Sequence, residues 1–373
     1  MTASTLAEVA RLAGVSPATA SRVLNGSDRK PGQEIADRVR QAAASLGYVP
    51  NAQAQGLAKA SSGLIGLIVH DIADPYFAAI ARGVQAAARE QRKMVLLATT
   101  EGTPADELAA VAAFAARRAD SIVIAGSRSV RPEDAETNAE LAAELDRYCR
   151  NGGRVSVMGH PVVDATEVGC FHVVAVPNEE LAADLARALA LARAGNFVVL
   201  GGPEGLLTSD DRIRGFQRGL VAAGLPPAEV VRTGFDRAGG YEAGLALARR
   251  ILEGRQRSGA ATGAAIGAAA NDSPRPCIFA VNDVMAIGAV AALRSKGLRI
   301  PRDVLIAGFD DIETLRDFRP ALTTVHLPLE ECGRLAAMGS TGTASDNESD
   351  SSSPVGGRIM LRRSTAARAK ARK

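Results

Sequence analysis

The chain has 373 residues, 47% of them hydrophobic, 23% charged and 3% aromatic, which excludes disorder throughout and predicts two or three domains at about 100–200 residues each. The longest clean apolar strings, such as Leu64 to Val69, fall far short of the roughly 18–20 residues a bilayer requires, and this excludes a membrane span. The net charge of +3 conceals two basic ends, because residues 1–60 hold seven Lys/Arg against four Asp/Glu and residues 355–373 hold seven Lys/Arg and no acid. The stretch between them is mildly acidic, so contact with a polyanion is expected at an end, unless the basic tail serves only solubility.

Thr5 is placed to cap a first helix in which Leu6, Val9, Ala10 and Ala13 fall at i, i+3, i+4 and i+7 and form one apolar stripe. Gly14 breaks that helix, Val15 is an apolar plug, and Ser16-Pro17 restarts the chain as N-cap and first-turn proline. The second helix turns Ala20, Val23 and Leu24 inward and ends at Asn25-Gly26. A third, from about Gly32 to Leu46, adds Ile35, Val39, Ala42, Ala43 and Leu46, and Gly47 closes it.

From Leu64 onward apolar, β-branched strings recur about every thirty residues between alanine-rich amphipathic stretches. Residues 64–69, 94–98, 121–125 and 155–158 form a first set, and 173–176, 197–200, 230–233, 277–281 and 304–307 a second. Alternating β and α with fully apolar strands predicts parallel sheets covered by helices on both faces. The number of strings points to two adjoining α/β lobes with a ligand cleft between them. Residues 255–276 read as an enlarged surface loop, and 339–354 as a disordered insertion.

The helix, glycine turn and second helix have the dimensions of a helix-turn-helix, whose outward face shows Pro17, Ala18, Ser21, Arg22 and Asn25. Arg22 has the fork to reach a guanine, while Ser21 and Asn25 suit phosphates. An ordinary three-helix bundle with a solvated polar face has the same spacing. Cys149, Cys170, Cys277 and Cys332 lack C-x-x-C spacing, which argues against a disulfide framework and a zinc site. The four histidines show no metal-binding pair, Gly201 to Gly205 lacks G-x-G-x-x-G spacing, and neither a G-x-S-x-G elbow nor a phosphate loop occurs, so no enzyme, metal or cofactor is expected. Residues 1–5 carry neither a basic nor an apolar export signal, so a cytoplasmic location is expected.

The run LAEVARLAGVSPATASRVLNG at residues 6–26 resembles the signature of the LacI/GalR family of bacterial transcriptional regulators. So do LGYVPN at 46–51, AQGLA at 54–58, IGLIV at 65–69, DPYF at 74–77, RIRGF at 212–216, NDVMA at 282–286, GFDD at 308–311, PALTTV at 320–325 and RRSTA at 362–366. These blocks run in the family's order across nearly the whole chain. The resemblance implies an all-α helix-turn-helix headpiece at 1–49, a hinge helix at 50–61, and a core resembling periplasmic binding proteins at 62–338, two doubly wound parallel-sheet lobes completed by a strand at 355–366. A basic tail at 367–373 would follow; with Arg362 and Arg363 it is expected to add salt-sensitive DNA affinity.

By the same resemblance Pro17, Ala18 and Arg22 would read bases, and Thr5, Ser16, Ser21 and Asn25 would hold phosphates. Asn51 and Gln55 would enter the minor groove, and Leu57 would wedge between base pairs, offsetting the cost of unstacking by added contact. In the cleft, Tyr76 and Phe77 would stack on a sugar or polyol, and Arg212 and Asp283 would fix its hydroxyls. Phe77 also suits a core position, and Asp283 a cap for a helix starting at Val284. His160 stands where the family often has an acid and an arginine and would contact the ligand or stay solvated; Pro177-Asn178 replaces a usual Asp-Asn. Ala20 replaces a usual valine, and Gly56 makes the hinge costly to fold by about 1 kcal/mol relative to alanine. The expected protein is a homodimeric repressor of carbohydrate genes on a pseudo-palindromic operator, controlled by a small sugar or polyol. A solute-binding protein of the same build would lack residues 1–60, and a sugar kinase or dehydrogenase should show a phosphate loop.

Overall fold

The computed structural model describes residues 4–25, 31–49, 61–166, 168–191, 196–262, 275–340 and 352–366. The chain divides into two compact units, the first Met1–Leu64 with Arg117–Ala119 and the second Ile65–Ala116 with Asp120–Lys373.

The first unit contains α1 (Leu6–Ala13), α2 (Pro17–Asn25) and α3 (Gln33–Ser45). Thr5 and Glu8 form a reciprocal capping box at the start of α1: the Glu8 amide donates to the Thr5 hydroxyl at 3.3 Å and the Thr5 amide to the Glu8 carboxylate at 2.8 Å. That amide and the Thr5 hydroxyl hold the Glu8 carboxyl below its ordinary range. Gly14, at φ 66°, takes the left-handed conformation that ends α1. Val9, Ala10, Ala13, Ala20, Val39, Ala42 and Ala43 make a small core, with Leu6, Val15, Val23, Leu24, Ile35, Leu46 and Tyr48 packed around it.

The second unit holds two parallel sheets. The first runs through β1 (Leu64–Val69), β2 (Met94–Thr99), β3 (Ser121–Ala125), β4 (Arg154–Met158) and β5 (Phe171–Ala175), with β11 (Ser352–Pro354) as its far edge, in the order β11-β5-β4-β3-β1-β2. The second comprises β6 (Phe197–Gly201), β7 (Glu229–Arg232), β8 (Cys277–Ala280) and β9 (Leu305–Ala307), in the order β7-β6-β8-β9. The helices α4 (Pro75–Glu90), α5 (Pro104–Ala116), α6 (Ala135–Arg150), α7 (Asn178–Leu191), α8 (Leu207–Ala222), α9 (Arg237–Thr262), α10 (Asp283–Ser295) and α11 (Leu329–Gly339) cover them. The chain leaves the first sheet after β5, returns through α11 to supply β11, and leaves again for an antiparallel ribbon of β10 (Thr324–His326) and β12 (Arg358–Met360). Helix pairs pack with their backbones almost touching. A Cβ on Gly83 of α4 would lie 1.9 Å from the Glu330 carbonyl oxygen, and one on Gly333 of α11 2.1 Å from that of Ile80.

Several expectations are corrected. The string at 173–176 belongs to the first sheet, because β5 starts at Phe171 and pairs with β4. Residues 255–262 continue α9 rather than forming a loop, since alanine and arginine favour helix and the arginines find partners such as Asp303, 3.2 Å from Arg255. Residues 339–354 are folded at both ends: Gly339 closes α11, the Ser340 hydroxyl donates to that of Ser121 at 3.1 Å, and 352–354 form β11, an edge position that tolerates Pro354. Its middle, 341–351, and the tail 367–373 lie outside the described residues. Arg362 is built into the fold, its guanidinium 2.6 Å from Asp311, and Arg363 opens a short 3-10 turn. Cys149 and Cys170 are joined in a disulfide that their separation of 21 residues does not advertise. Among the described residues no helix is long and apolar enough to cross a membrane.

Candidate functional site

Two surfaces carry chemistry, one in each unit. In the first, Ser16 caps α2 by accepting the Thr19 amide at 3.1 Å; Ser16, Pro17 and Ala18 are exposed around the start of that helix, and Arg22 is exposed in its last turn. Ser21 and Asn25 are half-buried, the Asn25 amide donating to the Ser21 hydroxyl at 2.9 Å. Thr5 is exposed beside α1, its hydroxyl engaged in the capping box. This face combines the partly positive N-terminus of a helix with an exposed guanidinium, a combination suited to phosphate and base edges. Asn51, Gln55 and Leu57 lie outside the described residues.

In the second unit, the loops at the C-terminal ends of both sheets enclose a cavity of about 670 Å³. Strand after strand contributes at its end: His70 after β1, Glu101 after β2, Ser127 after β3, Gly159 after β4, Asn178 after β5, Asp236 after β7, Asn282 after β8 and Asp310 after β9. This is the position at which open parallel sheets hold ligands, because the loops there diverge and helix N-termini point inward. Asp74 caps α4 by accepting the Tyr76 amide at 2.9 Å, and so fixes Tyr76 and Phe77 in its first turn. Their rings meet edge to face at 5.0 Å, and His70 adds a third ring 5.3 Å from Phe77, making an aromatic wall. Phe77 lines the cavity and packs into the core at the same time, only 9% exposed.

Arg212 lines the same cavity. It sits within α8 rather than in a loop, is 2% exposed, and uses each guanidinium nitrogen: Nε donates to Asn178 at 2.8 Å, Nη1 to the Val281 carbonyl at 2.7 Å and Nη2 to Asp310 at 2.8 Å. Its guanidinium also stacks 3.9 Å above the Phe309 ring. The RIRGF block thus divides its labour. Arg212 faces the cavity, Gly215 lets α8 approach the Glu179 backbone, and Phe216 stacks on Phe279 at 4.4 Å in the core. Burial pushes the Asp310 carboxyl up to about 7, with Arg212 pulling the other way.

Asp283 and His160 fall elsewhere. Asp283 is fully buried and opens α10, but Asn282 supplies its cap by accepting the Met285 amide at 2.8 Å. The Asp283 carboxylate instead accepts the Thr324 hydroxyl at 2.7 Å and the Ile312 amide at 3.1 Å, behind the cavity lining. Burial, with repulsion from Asp310, raises that carboxyl well above its ordinary value. His160 reaches away from the cavity lining to Asp211 on α8, Nε2 to Oδ2 at 2.7 Å. Asp211 is held below its usual range because that bond and Arg214 outweigh its burial.

The loops of the two sheets are also tied directly. The Val130 amide donates to the Gly205 carbonyl at 2.9 Å, the Leu207 amide to the Arg128 carbonyl at 2.9 Å, and the Thr208 amide to the Ser127 hydroxyl at 3.1 Å. Behind them Arg128 and Glu107 form a buried bidentate pair beside His70. Asp310, His70, Ser127, Arg131 and Asp236 were not singled out from the sequence, and Asn178 was marked only as half of the Pro177-Asn178 departure. Their shared signal was position, each within a few residues of a strand's end. Among the described residues no group of three or more His, Cys, Asp or Glu is arranged to hold a metal ion.

Comparison with known proteins agrees with this geometry. Residues 5–51 match "Bacterial regulatory proteins, lacI family", 62–243 match "Periplasmic binding proteins and sugar binding domain of LacI family", and 186–365 match "Periplasmic binding protein-like domain". The chain is 30% identical over 352 residues to the HTH-type transcriptional regulator GalS of Salmonella typhimurium, covering 91% of each protein. It resembles the structure of a transcriptional regulator CelR–cellobiose complex at 25% identity and a TM-score of 0.63, covering 97% of this chain and 99% of that one. In fold it also resembles the lac repressor dimer bound to operator and the anti-inducer ONPF, at 22% identity and a TM-score of 0.72, covering 98% and 100%. With a helix-turn-helix match at residues 5–51 and binding-protein matches over 62–365, the chain belongs to the LacI family of DNA-binding transcriptional regulators, which are not enzymes.

Proposed function

We propose that the protein is a homodimeric repressor of carbohydrate-metabolism genes whose hold on a pseudo-palindromic operator changes when a small neutral sugar or polyol enters the cleft. The observation that carries this reading is the cavity itself, whose lining joins the aromatic cluster of Tyr76, Phe77 and His70 to hydrogen-bonding groups, in the same chain as an exposed Arg22 on a helix-turn-helix. Sugars present apolar ring faces and hydroxyl edges, which such a mixed lining accepts. Charge favours a neutral ligand over a phosphate ester. Asp71, Asp74, Glu101, Asp236 and Asp310 line the cavity, whereas the Arg212 nitrogens are all engaged and Arg131 is paired with Asp134 at 2.8 Å.

In this reading Tyr76, Phe77 and Arg212 touch the effector, while Asp283 and His160 position the loops around it. Arg22, Pro17 and Ala18 read base edges, and Thr5, Ser16, Ser21 and Asn25 hold the backbone. The hinge residues Asn51, Gln55 and Leu57 enter the minor groove, side by side with those of a second copy. Met94 and Leu97, 68% and 45% exposed on the edge strand β2, offer apolar surface for that copy.

The test begins with selection of DNA from a random pool by the full-length protein, followed by affinity measurements with a panel of neutral sugars, polyols, sugar phosphates and nucleosides. A pseudo-palindromic site should emerge, and one neutral sugar or polyol should shift its affinity by about fivefold or more. Failure to enrich any sequence would overturn the DNA reading, and a response confined to phosphates or nucleosides would overturn the effector class.

A further inference from the structure

We propose that Cys149 and Cys170 are a reversible thiol–disulfide switch that fastens one wall of the effector cleft. The proposal rests on the cleft reading for its consequence but not for its chemistry. Beyond β4, Gly159 lines the cavity at φ 84° and His160 bridges to Asp211 on α8 at 2.7 Å, so this turn both shapes the site and joins the two sheets' layers. The chain then returns to α6 and is anchored there twice. The Asp146 carboxylate accepts the Thr166 amide at 3.1 Å and the Thr166 hydroxyl at 2.6 Å. Three residues further along α6, Cys149 is bonded to Cys170, Cα to Cα 6.1 Å, immediately before β5. One anchor is a set of hydrogen bonds, and the other is covalent and can be opened by a reductant.

Two further observations favour a switch over a structural staple. A regulator that acts on DNA works beside the chromosome, where thiol reductants keep most cysteine pairs open and the disulfides that do form are usually transient and sensing. The two bonded cysteines are also only half-buried, within reach of a small oxidant, whereas Cys277 and Cys332 are fully buried and burial pushes both of their thiols up to about 12. A hydroperoxide would convert one thiolate to a sulfenic acid, its O–O bond taking the two electrons and releasing water or an alcohol. The second thiolate then attacks that sulfur, forming the S–S bond and expelling hydroxide, which is protonated to water. A dithiol reverses the step by exchange, returning two electrons and leaving as its own disulfide.

The experiment uses the full-length protein treated with hydrogen peroxide or with dithiothreitol, then alkylated without denaturant and mapped by mass spectrometry. After peroxide a crosslinked Cys149–Cys170 peptide should appear; after dithiothreitol these two thiols, and not Cys277 or Cys332, should be labelled. Amide exchange at 159–166 should be about tenfold faster in the reduced protein, and Cys149→Ser should match the reduced wild type under both treatments. Reduced wild type serves as the folded control should the variant misfold. A neutral sugar found to bind should bind about fivefold or more tightly to the oxidised form. Absence of the crosslink after peroxide, equal exchange in the two forms, or equal sugar affinity overturns the switch. If no sugar binds while the crosslink and the exchange difference stand, the cleft reading fails and the thiol switch survives.

Discussion

In the headpiece the core is made of Val9, Ala10, Ala13, Ala20, Val39, Ala42 and Ala43, and the side chains suited to DNA stand outside it. In the second unit the polar groups of the cleft are part of the interior, with Arg212, Asn178 and Asp310 all buried and bonded to one another. A small domain has little apolar area to spare, so it keeps function on its surface, where water and a rigid helix do the presenting. A large one can bury a charged network and use it both to hold its loops and to meet a ligand. The same kind of substitution should therefore have opposite consequences in the two regions.

The largest effect is expected at Arg212. Arg212→Met leaves Asp310 and the Asn178 side-chain oxygen without their donor in a buried site, which should cost about 3–5 kcal/mol in urea denaturation of the full chain. Effector response should vanish with it. Adding Asp310→Asn should recover part of the stability but not the response; a single variant as stable as wild type would break the comparison. Arg22→Ala sharpens it from the other side. The exposed guanidinium has no burial to lose, so stability should stay within about 0.5 kcal/mol of wild type. Specific operator affinity should fall by about 1–3 kcal/mol at one base position, with non-specific binding much less affected. A footprint with unchanged base preference would remove Arg22 from that role.

The smallest effect is a slope with pH. Burial raises the Asp310 carboxyl from 3.8 to about 7, so between those values the folded chain binds its proton more strongly than the unfolded chain does. This group's contribution to stability is therefore full below pH 4 and declines as pH rises toward 7. Asp310→Asn should flatten that part of the melting-temperature profile, whereas a headpiece variant such as Arg22→Ala should leave it in place. An identical profile in Asp310→Asn would show that the network does not carry the slope.

The sequence by itself determined the helical headpiece and most of the strands. Capping at Thr5, the break at Gly14 and the restart at Ser16-Pro17 are local events, and an apolar string between amphipathic stretches becomes a strand, buried where it lies inside a sheet as β1 does and partly exposed at an edge as β2 is. It also marked Tyr76, Phe77 and Arg212, which the fold brings to one cavity. Tertiary structure alone decided the rest. Ser352–Pro354 has no apolar pattern and is a strand only because the edge of β5 offers it backbone partners. Asp283 and Asp310 are both acids following strands, yet one is sealed behind the lining by Thr324 and Ile312 while the other faces the cavity and holds Arg212. Cys149 and Cys170 meet because α6 and the turn before β5 run past each other. In each case the partner lies on an element distant in sequence, and local spacing holds no information about which distant groups the packing of two sheets and their helices will bring together.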